Sequence, residues 1–351
     1  MNNFLDNQII REDMEVIFNQ GSYSYLKGDK TVLVTGAYGM LASYMVYFML
    51  YLNEVHNYNI NIIALSRSIE KFEARFGIYK NKVLQVNKSV NELIDINCDF
   101  IIHAASLASP QYYTVQPVDV ILPNMLGTYN LLELAHLKKA KLLYFSTCSV
   151  YGYLGSKLTK VSESDFGALD PLDAHSCYDE SKRMGETLCG AYYRQKGVSA
   201  VIARIAHTYG PTMDIENDPR VFASFVKNAI NKAPIEIKSD GRARRSFCYI
   251  TDATSAYFKL LFEGVPGEAY NVCNTNQTVS ILELGGIVSK LANVNFIFKQ
   301  RNNYDTYLQD NNSDNALFVS DKLEKLGFTF KVDISQGFGR VLSFFERGVC
   351  E

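Results

Sequence analysis

The chain has 351 residues, 35 Lys plus Arg against 37 Asp plus Glu, 47% hydrophobic residues, seven Cys, five His and no Trp. This composition suits a soluble globular protein with chain enough for a large core in about two lobes. A net charge of -2 excludes the broad basic footprint of a nucleic-acid binder.

Seven Cys at irregular spacing, with no CxxC pair, fit free thiols in a reducing, cytoplasmic setting. The polar first 30 residues lack the layout of a signal peptide. Within them Ile9, Ile10, Met14, Val16 and Ile17 recur at helical spacing. This predicts one amphipathic helix and then a turn through Gly21 to Ser24, read as a packing or oligomer-contact extension.

Apolar runs follow at Thr31–Thr35, Ile62–Leu65, Phe100–His103, Lys141–Phe145 and Ala200–Arg204, with helical patterns at Met40–Val55, Gly127–Leu137 and Tyr178–Lys196. Short apolar runs alternating with helices predict parallel strands covered on both faces. The fold class is therefore α/β, a Rossmann-type doubly wound parallel sheet. Met40–Leu52 is apolar or aromatic apart from Ser43, but it is shorter than the about 20 residues that span a bilayer. It reads as a helix buried in protein, and no membrane partner is expected.

Beyond residue 205 the pattern loosens into a helix at Val221–Asn231, a strand at Ile235–Lys238, a helix at Ile281–Leu291 and a Phe-rich end. The expected organisation is an N-terminal extension (1–30), a dinucleotide-binding domain (31–205) and a smaller C-terminal α/β lobe (206–351), some of whose segments return to the first sheet.

The turn after the first strand reads Thr35-Gly-Ala-Tyr-Gly-Met-Leu-Ala42. Gly36 and Gly39 permit a tight strand-to-helix turn whose N–H groups reach a pyrophosphate at the helix N-terminus, and Ala42 fills the close-packing position. After the second strand, where NAD-selective folds place an acid, stand Ser66, Arg67 and Ser68. A guanidinium there suits a 2′-phosphate, so NADP(H) is favoured over NAD(H).

Farther on, Tyr178 and Lys182 lie one helical turn apart on one face. An ammonium so placed is expected to lower the phenol from its usual pKa of about 10 and let Tyr178 act as a general base. His56, His103, His136, His175 and His207 show no metal-ligand spacing, so no metal is expected.

Taken in order, TGAYGMLA (35–42), HAAS (103–106), PNMLGTYNLLELA around Asn124, STCSVYG (146–152), YDESK (178–182), RIAHTYGP (204–211), RRSFCYITDA (244–253) and YNVCN (270–274) resemble the extended short-chain dehydrogenase/reductase superfamily. The branch is that of the nucleotide-sugar epimerases and dehydratases. HAASLASPQYY, CYDESKRMGETLC and GRARRSFCYITD are most similar to UDP-glucuronate decarboxylases.

The resemblance implies Tyr178 as base, Lys182 on the nicotinamide ribose and Thr147 on the hydroxyl being oxidised. It implies a dinucleotide site of Gly36, Gly39, Met40, Leu41, Ser66, Arg67, Ala104, Ala105, Ser106, Asn124, Ser146 and Ile205, shared with Tyr178 and Lys182. Substrate contacts fall to Ser149, His207, Arg220 and Arg245. The partner implied is a nucleotide sugar, and the assembly a homodimer.

Two positions depart from the pattern. Dehydratases of this branch carry Asp–Glu after the motif threonine and decarboxylases carry Glu second, whereas this chain has Cys148 and Ser149. Thiol and hydroxyl have reference pKa values far above a carboxylate's. Dehydration is therefore disfavoured, and epimerisation at or via C4, which needs only the tyrosine, leads. The alternatives are UDP-glucuronate decarboxylation, NADPH-dependent keto-sugar reduction and a non-catalytic dinucleotide-binding regulator. His207 stands where relatives have Asn, His175 is expected to reach substrate from a loop, and Cys148, standing where relatives keep a catalytic acid or hydroxyl, is the first thiol to test.

Overall fold

The computed structural model describes residues 4–155, 159–237, 239–298 and 316–348. Seven parallel strands form the central sheet: β1 (Thr31–Thr35), β2 (Asn61–Ser66), β3 (Val83–Asn87), β4 (Phe100–His103), β5 (Lys141–Thr147), β6 (Ala200–Ile205) and β7 (Ala269–Val272). Their order is 7-6-5-4-1-2-3. The direction of winding reverses between β1 and β4, so the connections leave these strands to opposite sides and open a crevice at their C-terminal ends.

The five expected runs are β1, β2, β4, β5 and β6. The edge strands β3 and β7 were not anticipated. β3 (Val-Leu-Gln-Val-Asn) buries only its first residue fully, so it lacks the continuous apolar run of a doubly covered strand.

The main helices are α1 (Gln8–Gln20), α2 (Met40–His56), α3 (Ile69–Phe76), α4 (Thr128–Lys138), α5 (Ser176–Lys196), α6 (Val221–Ile230), α7 (Ile250–Glu263), α8 (Ile281–Ala292) and α9 (Ile334–Gly348). Every residue of α2 from Ala42 to Leu52 is buried, which accounts for a helix apolar all round. Among the described residues no helix is long and apolar enough to cross a membrane.

The C-terminal part adds a three-stranded sheet of Thr278–Ser280, Arg244–Tyr249 and His207–Tyr209. The expected strand at 235–238 is Ile235–Ile237, with Lys238 outside the described residues.

Helix α1 begins where the Asn7 side chain accepts from the N–H groups of Ile9 and Ile10, and it buries Ile9, Ile10, Met14 and Ile17. It also buries Asp13, fully. That carboxylate accepts from Arg340 Nε at 2.7 Å, from Tyr249 OH at 2.7 Å and from Tyr44 OH. Four segments, α1, α2, the strand Arg244–Tyr249 and α9, are joined through one side chain. Burial lifts Asp13 to about 6 against the downward pull of the Arg340 charge and the two phenols.

Candidate active site

The turn after β1 needs its glycines for steric reasons. Gly36 has φ +62, and a Cβ there would lie 2.8 Å from Ala105 Cα and 2.9 Å from the Ala104 carbonyl. Gly39 caps α2 without a side chain, and a Cβ on it would lie 3.1 Å from the Gly36 carbonyl. The helix start leaves the N–H groups of Met40 and Leu41 without intrahelical acceptors, directed where a phosphate is favoured. This cradle fits a dinucleotide.

The groove beside it is lined by Gly36, Gly39, Ser66, Arg67, Ala104, Ala105 and Ser106. Buried Ser106 Oγ has no hydrogen-bond partner among the described residues. Lys71 and Lys88 line the same groove near Arg67, and Lys71 Nζ lies 5.7 Å from the Tyr38 ring. Neither lysine was expected. Lys88 follows β3, the strand that the apolar pattern missed.

A hydrogen-bonded chain ties this turn to α5. Thr35 Oγ1 accepts from the N–H groups of Ala104 and Ala105 at 3.2 and 3.1 Å and meets His103 Nδ1 at 2.9 Å. His103 Nε2 meets Thr128 Oγ1 at 3.1 Å, and Thr128 donates to the Asn124 carbonyl at 2.6 Å. Because the Thr128 proton is committed to that carbonyl, His103 donates from Nε2 and accepts at Nδ1. Burial, with the Lys182 charge second, holds His103 down at about 3 and neutral.

Asn124 lies in a π-helical turn, Pro123–Gly127, an irregularity frequent at functional sites. Its Nδ2 donates to Ser181 Oγ and to the Val120 carbonyl, each at 3.0 Å. Fully buried, it braces α5, so it acts on the dinucleotide site by position. Ser146, expected at the nicotinamide, donates to Glu186 Oε1 at 2.5 Å. Ile205 ends β6 in register with Thr147.

Tyr178 and Lys182 come from the buried face of α5. The Tyr178 ring stacks on Tyr113 with centroids 5.0 Å apart and planes 13° apart. Lys182 Nζ donates to the Phe145 carbonyl at 2.6 Å and lies 5.8 Å from the centre of the Tyr178 ring.

The expected lowering of Tyr178 is not what this geometry produces. Burial pushes the phenol up to about 12, with a hydrogen bond to Thr147 and the more distant Arg220 charge acting downward. Burial also brings Lys182 down to about 7, opposed by Glu186. In the free chain Tyr178 is therefore a neutral phenol beside Thr147.

Cys148, Ser149 and His175 take the following places. Cys148 packs with Tyr151, Val161, Cys273 and Phe318, and burial raises its thiol well above the usual value, which leaves it unreactive. Ser149 is exposed and its Oγ accepts from Thr147 Oγ1 at 3.3 Å. His175 is tied to Asp179 at 2.9 Å and lies edge-on to Tyr113, with centroids 4.7 Å apart, so its ring supports the start of α5.

His207, Arg220 and Arg245 converge from three segments. Burial, then the charges of Arg245 and Arg220, hold His207 down at about 3, and its buried Nδ1 has no partner among the described residues. Arg220 pairs with Asp218 and covers the Phe222 ring at 4.7 Å. Its charge also acts on Tyr113 and Tyr178. Arg220 thus acts on both Tyr178 and His207 and Arg245 on His207, and guanidiniums so placed suit an anion.

Comparison with known proteins agrees with this geometry. The NAD dependent epimerase/dehydratase family matches over residues 32–273. UDP-glucuronic acid decarboxylase 3 of Arabidopsis thaliana is 32% identical over 306 residues, 87% of this chain and 86% of the relative. UDP-glucuronic acid decarboxylase 6 of the same plant is 31% identical over 313 residues, 89% and 88%.

Among solved structures, an epimerase from Methanothermobacter thermautotrophicus superposes with a TM-score of 0.77 at 21% identity, covering 97% of this chain and 96% of that one. UDP-glucose 4-epimerase from Thermotoga maritima gives 0.75 at 19% identity, over 92% and 100%. A dinucleotide cradle and a buried Thr–Tyr–Lys set on this sheet order, matched over most of the chain, place the protein among the enzymes of the NAD-dependent epimerase/dehydratase family.

Proposed function

We propose that the protein oxidises C4 of a UDP-activated glucuronate, releases CO2 from the resulting 4-keto acid and reduces the ketone again, the reaction of a UDP-glucuronate decarboxylase. The observation that carries this reading is the placement of Thr147 and Tyr178 side by side within reach of the Arg220 charge, in a chain whose long matches include decarboxylases. Those relatives favour decarboxylation over the epimerisation that Cys148 and Ser149 suggested.

Tyr178 takes the C4 hydroxyl proton while Thr147 orients that oxygen. The nicotinamide dinucleotide, held by the Gly36 turn and Lys182, supplies the hydride acceptor and a positive charge that favours the phenolate. In the 4-keto acid the carboxylate is β to the ketone. The C5–C6 electron pair moves toward the C4 oxygen, CO2 leaves, and C5 takes a proton from water. Hydrogen bonds from Thr147 and Tyr178 stabilise the developing oxyanion. The ketone itself is the electron sink, so the step does not depend on the carboxylate that Ser149 replaces.

Incubation with UDP-glucuronate should release CO2 and UDP-pentose in equal amounts. UDP-galacturonate without CO2 would overturn decarboxylation and establish C4 epimerisation, the second reading, which the two neutral residues after Thr147 favour.

For the cofactor we favour NADP(H). Arg67, Lys71 and Lys88 line the groove beside Ser66 without a carboxylate. Arg67→Ala should weaken NADP(H) by roughly 10- to 100-fold, the size of one charge-assisted hydrogen bond, and leave NAD(H) nearly unchanged. Equal losses in calorimetric titrations of both would refute the 2′-phosphate contact.

A homodimer and a cytoplasmic setting belong to the same reading. Val118, Met125, Leu126, Tyr129 and Met184 are exposed on segments that pack together around α5. Sedimentation equilibrium should return twice the chain mass, and a monomer at micromolar concentration would remove the dimer. The six described cysteines are free, which supports a reducing compartment; recovery of the protein outside the cytosol on cell fractionation would remove it.

A further inference from the structure

Glu186 is a largely buried carboxylate beside the catalytic residues that the chemistry above does not use. It stands one turn beyond Lys182 and two beyond Tyr178, so the three side chains lie along one face of α5. Its side chain is 11% exposed. Oε1 accepts from Ser146 Oγ at 2.5 Å and from Arg204 Nε at 3.0 Å, and Oε2 accepts from Arg204 Nη2 at 2.7 Å.

One turn earlier, Lys182 holds the Phe145 carbonyl. Helix α5 thereby grips two successive residues of β5, and the next residue is Thr147. Arg204 sits on β6 in register with Ser146, its guanidinium 4.8 Å from the centre of the Tyr151 ring. A buried ion pair gives little net stability over apolar residues of the same volume, so stability alone does not account for one placed here.

We propose that Glu186 is a positioning residue for hydroxyl oxidation: it sets Thr147 against Tyr178 through Ser146, and its negative charge keeps the Lys182 ammonium protonated in a dry seat. The proposal rests on the roles given above to Tyr178, Lys182 and Thr147.

The groups facing Lys182 leave Glu186 as its source of negative charge. From β5 comes the Tyr144 ring, 5.1 Å away, and from α5 the Tyr178 ring. From β4 comes His103, which is neutral. Burial keeps Tyr144 and Tyr178 protonated. Around Glu186 stand Arg204 and the thiols of Cys148 and Cys189, both raised by burial. Without Glu186 the Arg204 charge is uncompensated and Lys182 loses its proton more readily.

Glu186→Gln keeps the volume and the acceptor for Ser146 but removes the charge. In protein labelled with 13C,15N-lysine, with the Lys182 signal assigned by its loss in Lys182→Met, the Lys182 pKa should fall by about one to two units. The alkaline limb of the rate of bound-nicotinamide reduction by UDP-glucuronate should move down by the same amount. Ser146→Ala keeps the charge, so Lys182 should titrate as in the parent while kcat falls about tenfold or more at unchanged KM.

A Glu186→Gln titration and pH profile superimposable on the parent, or a Ser146→Ala kcat equal to the parent's, overturns the proposal. If the amide variant does not fold, Glu186→Asp decides: a parental Lys182 titration with lowered kcat supports the proposal, and a parental kcat overturns it. Failure of the parent to reduce its nicotinamide with any nucleotide sugar would instead defeat the proposed function, while the lysine titration still reports the charge effect.

Discussion

Tyr178→Phe should lower kcat by about 10²- to 10⁴-fold, the usual contribution of a positioned general base, with cofactor affinity nearly unchanged. The substitution removes one oxygen and leaves the ring on Tyr113, so folding and the Gly36 groove are spared. Steady-state rates on UDP-glucuronate, with dinucleotide binding followed by fluorescence, check both halves. Turnover within tenfold of the parent would show that another group takes the proton. Loss of cofactor binding together with turnover would show that the phenol holds the ribose more than it holds the proton.

The largest stability effect is expected far from this chemistry. Arg340→Met strips Asp13 of its cation while the carboxylate stays fully buried. Breaking a buried pair from one side costs about 3–5 kcal/mol, a large share of the roughly 5–15 kcal/mol by which domains are stable. Urea unfolding followed by circular dichroism measures it.

The sign of the pH dependence follows from Asp13. Its folded pKa is already raised to about 6, and without the guanidinium it rises further. Between the unfolded value and that pKa the folded state binds the extra proton, so stability falls as pH rises through the window. The deficit of Arg340→Met should accordingly be smallest near pH 4 and largest above neutrality. A loss below about 1 kcal/mol, the level of an exposed pair, or a deficit independent of pH, would mean that Asp13 is effectively solvated.

What the sequence disclosed follows the range of the forces involved. The central strands were legible because burial on both faces demands an unbroken apolar run; β3 was not, since it escapes that demand, and β7 was not, since its four-residue run is broken by Asn271. Gly36 and Gly39 were legible because the turn is a local steric problem, and Tyr178 with Lys182 because helix spacing is local. The direction of the Tyr178 shift was not, because desolvation is set by β5, Tyr113 and the loops above them. Glu186 stands four residues after Lys182 and was not singled out, because its partners come from β5 and β6. Lys71 and Lys88 reach one groove from separate segments, and no motif links them to Arg67. Cys148 stands where relatives keep an acid and was the first thiol to test; its neighbours make it apolar filling.

The Asp13 to Arg340 contact spans 327 positions, nearly the length of the chain. During synthesis the dinucleotide sheet has most of its strands long before residue 340 is made, so domains that form as units from the N-terminus do so here with α1 still lacking its last partner. The clasp is a late-closing seal: it adds little to the speed of assembling the sheet and acts instead on how rarely the finished molecule opens. Its contribution is written into the unfolding rate, and α1 and α9 together determine how long the sheet between them stays shut.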